Sequence, residues 1–212
     1  MSTQSDRPRR GRQAEAARND RRVLQAAREA FATHGAATTV SMIAQRAGVG
    51  IGSLYRRYGS KDDLLRQLCL LAMEQSIQAA QSALDNPDAW TGLTEYIQTC
   101  VAQGTGALAP LAGTIDTTPE MWSLARKGRR ALERLVARAR DQGDLRPDAT
   151  ALDVAWLIEL FSRLSPERHD TAARSRLLAL ALDGLHTGAS QPLPGPLPSA
   201  RRYERRWRRP KP

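Results

Sequence analysis

Lysine is scarce in this sequence: of its 32 basic residues only Lys61, Lys127 and Lys211 are not arginine. Cysteine is scarcer still. Cys69 and Cys100 each sit among apolar neighbours, in no Cys-x-x-Cys or Cys/His spacing, which fits reduced, packed thiols better than a bridge or a metal site. Long apolar runs are missing as well. The longest uncharged stretch, Tyr96 to Ile115, carries two Gln, three Thr, three Gly and a Pro, so a transmembrane span is excluded and no membrane partner is expected. The first forty residues are crowded with arginine and contain no apolar core of a secretory signal, so a cytoplasmic location is expected. No run of four or more alternating β-branched or aromatic positions occurs, which points away from strands. Aromatics make up only 5%, yet 41% hydrophobic content over 212 residues supports one or two domains with a real core.

What is abundant is positive charge, and it is unevenly placed. The formal net charge is +10, of which residues 1–22 contribute +4 and residues 199–212 contribute +6. Between them, residues 23–66 carry +3 and residues 67–198 carry −3. A basic arm joined to a basic domain is the electrostatic footprint of a polyanion binder, because each neutralised phosphate releases counterions.

Helical periodicity runs almost throughout from Arg21 onward, and the expected fold class is all-α. Residues 1–17 lack an apolar stripe and are read as a flexible basic arm, residues 18–66 and 67–188 as two helical domains, and 189–212 as a Pro/Arg-rich tail. In the first helix, about 19–34, Val23, Ala27, Ala30 and Phe31 fall on one face before Gly35. A short helix follows Thr39 with Ile43, Ala44 and Ala47 inward, and Gly48-Val49-Gly50 breaks it. A third, about 51–58, has Leu54 and Tyr58 on its inner face. Ser60-Lys61-Asp62-Asp63 then reads as a capping box opening a long helix to about Leu84. Further helices are expected after Asn86-Pro87-Asp88 and after Thr118-Pro119, the latter to about Gln142 with Arg126, Arg129, Arg130, Arg134 and Arg138 in solvent. Residues 104–118, rich in Gly and Pro, are the least regular part between.

The last two expected helices, about 149–165 and 167–186, are apolar on more than one side. In the first, Val154, Leu157, Ile158, Phe161 and Leu164 form one face, and Leu152, Trp156 and Leu160 another. A surface helix needs a single buried stripe, so a second copy of the chain is the simplest cover. The residues assigned to that interface are Val154, Leu157, Ile158, Phe161, Leu177, Leu180, Ala181 and Leu185.

Two short helices around a tight glycine turn, followed by a capped helix, read as a helix-turn-helix whose second member enters the major groove. That helix offers Gly50, Ile51, Gly52, Ser53, Tyr55, Arg56 and Arg57 outward, with Thr39 and Lys61 flanking. Small residues permit close backbone approach, and Tyr55 and Lys61 suit phosphate oxygens. Arg56 or Arg57 suits either bidentate pairing with guanine or a phosphate. The stretch from Thr38 to Leu64, TTVSMIAQRAGVGIGSLYRRYGSKDDL, resembles the DNA-binding signature of TetR-family transcriptional regulators, and with the first helix the resemblance spans roughly residues 16–76. Two positions depart from the family pattern: Tyr58 stands where Phe is usual, and Arg57 where His is common.

The resemblance implies an all-helical homodimer with a four-helix interface, a double-stranded DNA operator of pseudo-palindromic sequence, and a small-molecule effector. It implies phosphate contacts for Tyr55 and Lys61 and close helix approach at Gly52. It makes residues 18–66 the helix-turn-helix DNA-binding domain and 67–188 the helical effector-binding and dimerisation domain, and implies an effector pocket between about residues 67 and 185, for which Trp90, Tyr96, Cys100, Met121, Trp122 and Trp156 are the candidate lining residues. Gly143 to Asp148 with Asp153-Val154 resembles the C-terminal domain of one subgroup. A repressor is the expected role. The competing possibility is a DNA-binding dimer whose C-terminal domain only dimerises or docks a protein. No cofactor, metal or enzymatic activity is expected, because no nucleophile elbow, phosphate-cradling glycine loop or paired carboxylates occur.

Overall fold

The computed structural model describes residues 7–164, 171–188 and 191–208, without the side chains of residues 7–18, 21, 32 and 36. Among the described residues the chain is helical, and its β-structure is limited to one antiparallel bridge between Leu145 and His186. No described helix is long and apolar enough to cross a membrane.

Helix α1 (Arg7–His34) begins well before the expected start near Asn19 and takes in most of the arm read as flexible. The reason is composition: Gln13, Ala14, Glu15, Ala16 and Ala17 are strong helix formers that extend the helix without an apolar stripe. The side chains of Arg7, Arg9, Arg10 and Arg12 in that arm lie outside the described residues. The expected face of Val23, Ala27, Ala30 and Phe31 is buried. Across a one-turn 3-10 segment, the Thr38 hydroxyl donates to the Ala30 carbonyl at 3.0 Å.

Helix α2 (Val40–Ala47) is capped by the Thr39 hydroxyl, which accepts from the Met42 amide at 3.2 Å. Gly48, at φ +64, ends it in the left-handed conformation that suits glycine. Helix α3 (Ile51–Tyr58) follows directly, and α4 (Lys61–Leu84) begins at Ser60. Here the expected capping box forms in part. The Ser60 hydroxyl accepts from the Asp63 amide and donates to its carboxylate at 2.6 Å, while the Ser60 amide goes to the Tyr58 carbonyl. A complete box occurs instead at Thr150 and Asp153, at the start of α7 (Ala151–Arg163).

Helix α5 (Ala89–Gln103) starts at Asp88 and α6 (Pro119–Asp141) at Thr118, as the turn residues indicated. Of the α6 arginines expected in solvent, Arg129 and Arg138 are half-buried. Arg138 reaches back to the Leu84 and Asn86 carbonyls at 2.6 and 2.9 Å, satisfying acceptors at and just beyond the end of α4. Helices α7 (Ala151–Arg163) and α8 (Thr171–Asp183) pack beside α5 and α6.

The C-terminal residues depart furthest from expectation. Instead of a tail, residues 191–208 lie on the globule, and Ser199 caps a short helix, α9 (Ala200–Arg205). Arg146 donates to the Gln191 carbonyl (2.6 Å) and Asp148 accepts from the Leu193 amide (2.7 Å), pinning the proline-rich approach. Glu204 pairs with Arg129, and Trp207 packs against the N-terminal core.

Buried side chains form two clusters. One joins α1, α2, α3 and the first half of α4 to Leu108, Leu111, Ile115 and Met121. The other fills the space among α5, α6, α7, α8 and the far end of α4. The Gly/Pro segment 104–118 therefore belongs to the core beneath the first three helices, with Gly106 against α7: an added Cβ there would lie 2.7 Å from the Glu159 Cα.

Candidate nucleic-acid interface and effector cavity

Helix α3 buries Leu54, half-buries Tyr58, and turns everything else outward: Ile51, Gly52, Ser53, Tyr55, Arg56 and Arg57 are exposed, as is Gly50 at its start. Gly50 supplies no side-chain cap, so the first amides of α3 face solvent at the positive end of the helix dipole, where a phosphate is favourable. A Cβ at Gly52 would touch nothing within 4 Å. Glycine in an exposed helix costs about 1 kcal/mol against alanine, so nothing within the fold requires it there.

The polar groups around α3 divide into free and committed. Tyr55 is exposed and Lys61 is half-buried in the first turn of α4. Arg56 donates to the Ser53 hydroxyl at 3.2 Å, keeping both on the outer face. Arg57 instead pairs with Asp20 of α1, and the Tyr58 hydroxyl donates to the same carboxylate at 3.4 Å. Tyr58, which replaces the usual Phe, uses its extra oxygen there. Arg57 thus fixes α3 against α1. Thr39 is spent as the α2 cap. Arg22 donates to the Ala47 carbonyl at 2.8 Å and Arg46 pairs with Glu29 at 2.7 Å, so α2 is also tied to α1. The sequence reading missed these tethers.

Behind this unit lies a cavity of about 580 Å³ bounded by α4, α5, α6, α7, the 104–118 segment and the C-terminal residues. Of the six candidates, Tyr96, Met121 and Trp122 line it. The other three do not. Trp90 stacks edge-on against His186 at 4.9 Å, Cys100 is buried in the second core, and Trp156 is exposed, 6.4 Å from the Tyr203 ring. Residue size and type favoured all six, but only the helix face decides which of them turn inward.

The cavity walls are mostly uncharged. Tyr96 and Ser76 share a hydroxyl hydrogen bond at 3.0 Å, and the Trp122 indole donates to Thr117 at 3.0 Å. Burial raises the Tyr96 phenol well above its usual range and pushes the Cys69 thiol up to about 12, so both stay neutral near pH 7. Charge enters through Arg126, Arg129, Glu133, Arg140, Glu159 and Glu204. Glu159, on α7, receives the Tyr203 hydroxyl and both terminal nitrogens of Arg206.

Two connections join cavity to interface. Leu108 and Met121 line the cavity and also pack in the core beneath α1 to α3. Arg28 of α1, only 8% exposed, donates to the Gln103 carbonyl at the end of α5 (2.9 Å) and to Gln75 of α4 (2.6 Å). No motif advertised Arg28, although it follows Ala26 and Ala27 on an otherwise buried face.

The expected dimer surface resolves into two parts. Val154, Ile158 and Phe161 are buried in the chain's own core and offer no outside contact, which corrects their assignment. Leu157, Ala181 and Leu185 are half-buried, whereas Leu177 and Leu180 are 52% and 59% exposed. Leu160 and Trp156, not in the assigned set, are exposed on the same two helices.

Residues 23–68 match the family model described as bacterial regulatory proteins, tetR family, and residues 87–187 match that of the SbtR-like transcriptional regulator C-terminal domain. Among solved structures, the TetR transcription regulatory protein from Mycobacterium vanbaalenii is 25% identical, with 82% of this chain and 98% of that one covered and a TM-score of 0.55. The regulator PfmR from Thermus thermophilus is 21% identical, covering 80% and 99%, with a TM-score of 0.59. LfrR from Mycobacterium smegmatis, in complex with proflavine, is 21% identical, covering 84% and 99%, with a TM-score of 0.56. No curated protein matches by sequence.

Proposed function

Because the chain belongs to the TetR family of transcriptional regulators, we propose that it is a ligand-responsive repressor that binds a pseudo-palindromic operator as a homodimer. Two copies of α3 enter successive major grooves, with Ile51, Ser53 and Arg56 toward base edges, Tyr55 and Lys61 on phosphates, and Gly52 allowing contact with the DNA backbone. The exposed leucines of α7 and α8 meet their counterparts across a two-fold axis and set the spacing between the copies.

The observation that carries the ligand response is that Leu108 and Met121 serve at once as cavity wall and as core beneath the DNA-facing helices. A molecule that displaces that wall also shifts the packing under α1 to α3, and the Arg28 contacts to α4 and α5 with it. Since packed interiors are nearly incompressible, the displacement appears as a change in the spacing of the two α3 helices. A cavity of about 580 Å³ is in the range of small-molecule sites and favours this reading over a mere dimerisation scaffold.

The test is a thermal-shift screen of the dimer followed by DNA titration. An effector raises the melting temperature by mass action and, at the same concentrations, releases the operator. A ligand that fills the cavity and leaves operator affinity unchanged contradicts the coupling.

A further inference from the structure

Helix α6 sorts its cations between two uses. Arg129 pairs with Glu204 and lies 3.6 Å from Glu133, Arg138 holds the Leu84 and Asn86 carbonyls, and Arg140 donates to the Ala149 carbonyl at 2.7 Å. Arg126, Lys127, Arg130 and Arg134 are exposed, and their side chains take no partner among the described residues. All four line one groove of about 450 Å³, distinct from the larger cavity, between α6 and the second half of α4.

This row costs the helix rather than supporting it. Arg126, Arg130 and Arg134 recur every four residues, so like charges stand over one another on one face and repel. Glu133, in the same stretch, is spent on Arg129, and no acidic residue lines the groove. The opposite wall, from α4, is uncharged: Ile77, Gln81 and Leu84. The groove is therefore cationic along one edge and largely apolar along the other. From Arg126 to Arg134 the helix rises about 12 Å, and the volume falls in the range of small-molecule sites.

We propose that this groove is a second ligand site, for a small organic molecule carrying two or more phosphates. Its phosphates lie along Arg126, Lys127, Arg130 and Arg134, and its uncharged part rests on Ile77 and Leu84. The planar fork of a guanidinium matches phosphate oxygens two at a time, and several neighbouring cations call for several negative charges in one ligand. The apolar edge adds affinity that an inorganic phosphate chain cannot use. Arg126 also lines the larger cavity, so the two sites share a side chain. The groove stands as a site whether or not the larger cavity takes an effector.

Calorimetric titration of the full chain, free of DNA and at low salt, tests this with ATP, tripolyphosphate and adenosine. ATP is expected to bind about tenfold more tightly than tripolyphosphate and at least about hundredfold more tightly than adenosine. Arg130→Gln with Arg134→Gln should weaken ATP at least about tenfold. Arg201→Gln with Arg202→Gln removes the same charge from the exposed face of α9 and should change ATP affinity less than about twofold. Without ligand, the groove variant should melt no lower than wild type, because its arginines have no partners to lose; the gain in melting temperature that ATP gives wild type should shrink in it. Equal losses of ATP in the two double variants, or no binding of either polyphosphate, overturns the site. Tripolyphosphate binding as tight as ATP overturns the organic part of the assignment. A single-stranded oligonucleotide that binds wild type more tightly than ATP and loses that binding in the groove variant makes the groove a nucleic-acid track and overturns the small-molecule assignment.

Discussion

The outer face of α3 and the exposed parts of α7 and α8 are both left largely open by the described residues, and they are opposites. Around α3 the exposed residues are glycine, serine, tyrosine and arginine, and the one large apolar exception is Ile51. On α7 and α8 the exposed large apolar side chains are Trp156, Leu160, Leu177 and Leu180, with Arg163, Ser175, Arg176 and Asp183 exposed beside them. The first face holds hydrogen-bond donors and open backbone and suits a hydrated, negatively charged partner. The second exposes four large apolar side chains and suits burial against an apolar surface. Exposure alone would make both sites; their chemistry separates a polyanion from a second copy of the chain.

The largest effect should come from exchanging those characters. Leu180→Asp puts a charge into the proposed apolar interface, and more than hundredfold weaker dimerisation is expected, with operator binding lost alongside. Sizing chromatography and gel shifts report both, and dimers that persist would move the interface elsewhere. Next, Gly52→Leu sharpens the contrast because two properties move in opposite directions. Its space is open, so stability should rise by about 0.5–1 kcal/mol while operator affinity falls about tenfold or more. Thermal melts and DNA titrations on one sample separate the two. Lys61→Gln is milder: affinity falls on every duplex alike and the salt dependence becomes shallower by about one counterion.

The smallest effect concerns the contact that holds the C-terminal segment at Leu193. The Arg146 guanidinium and the Leu193 amide hold the Asp148 carboxyl down to about 2, below an ordinary aspartate near ~3.9. A depressed carboxyl stabilises in full above its unfolded value and loses that contribution as pH falls through the folded one. Wild type should therefore melt above Asp148→Asn at pH 5 to 7, and the difference should shrink below about pH 4 and vanish near pH 2. A constant difference across that range would remove Asp148 as the anchor.

The α2–α3 unit was legible in the sequence because everything that makes it is local. Thr39 caps, Gly48 turns, Leu54 anchors and Ser60 restarts the chain, each within a few residues of its partner. What was illegible depends on tertiary arrangement. Val154, Ile158 and Phe161 share a helix with Trp156 and Leu160, and the pattern says that two sides of α7 are covered without saying which side faces the chain's own core. Tyr96 and Cys100 lie one turn apart on α5, yet only Tyr96 reaches the cavity. The C-terminal residues carried a signal that their composition obscured: Ala200, Tyr203 and Trp207, at i, i+3 and i+7, form an apolar stripe within an arginine-rich segment. Glu159, the group that stripe covers, is 44 positions from Tyr203, and no local pattern connects them.

The central claim is that two copies of α3 read DNA together at a spacing fixed by α7 and α8. Selection of bound fragments from random duplexes, followed by footprinting of the winners, tests it most directly. The account predicts an inverted repeat protected in two successive major grooves on one face of the duplex, lost on Leu180→Asp. Recovery of single, unrepeated sites that the Leu180→Asp protein binds equally well would contradict it.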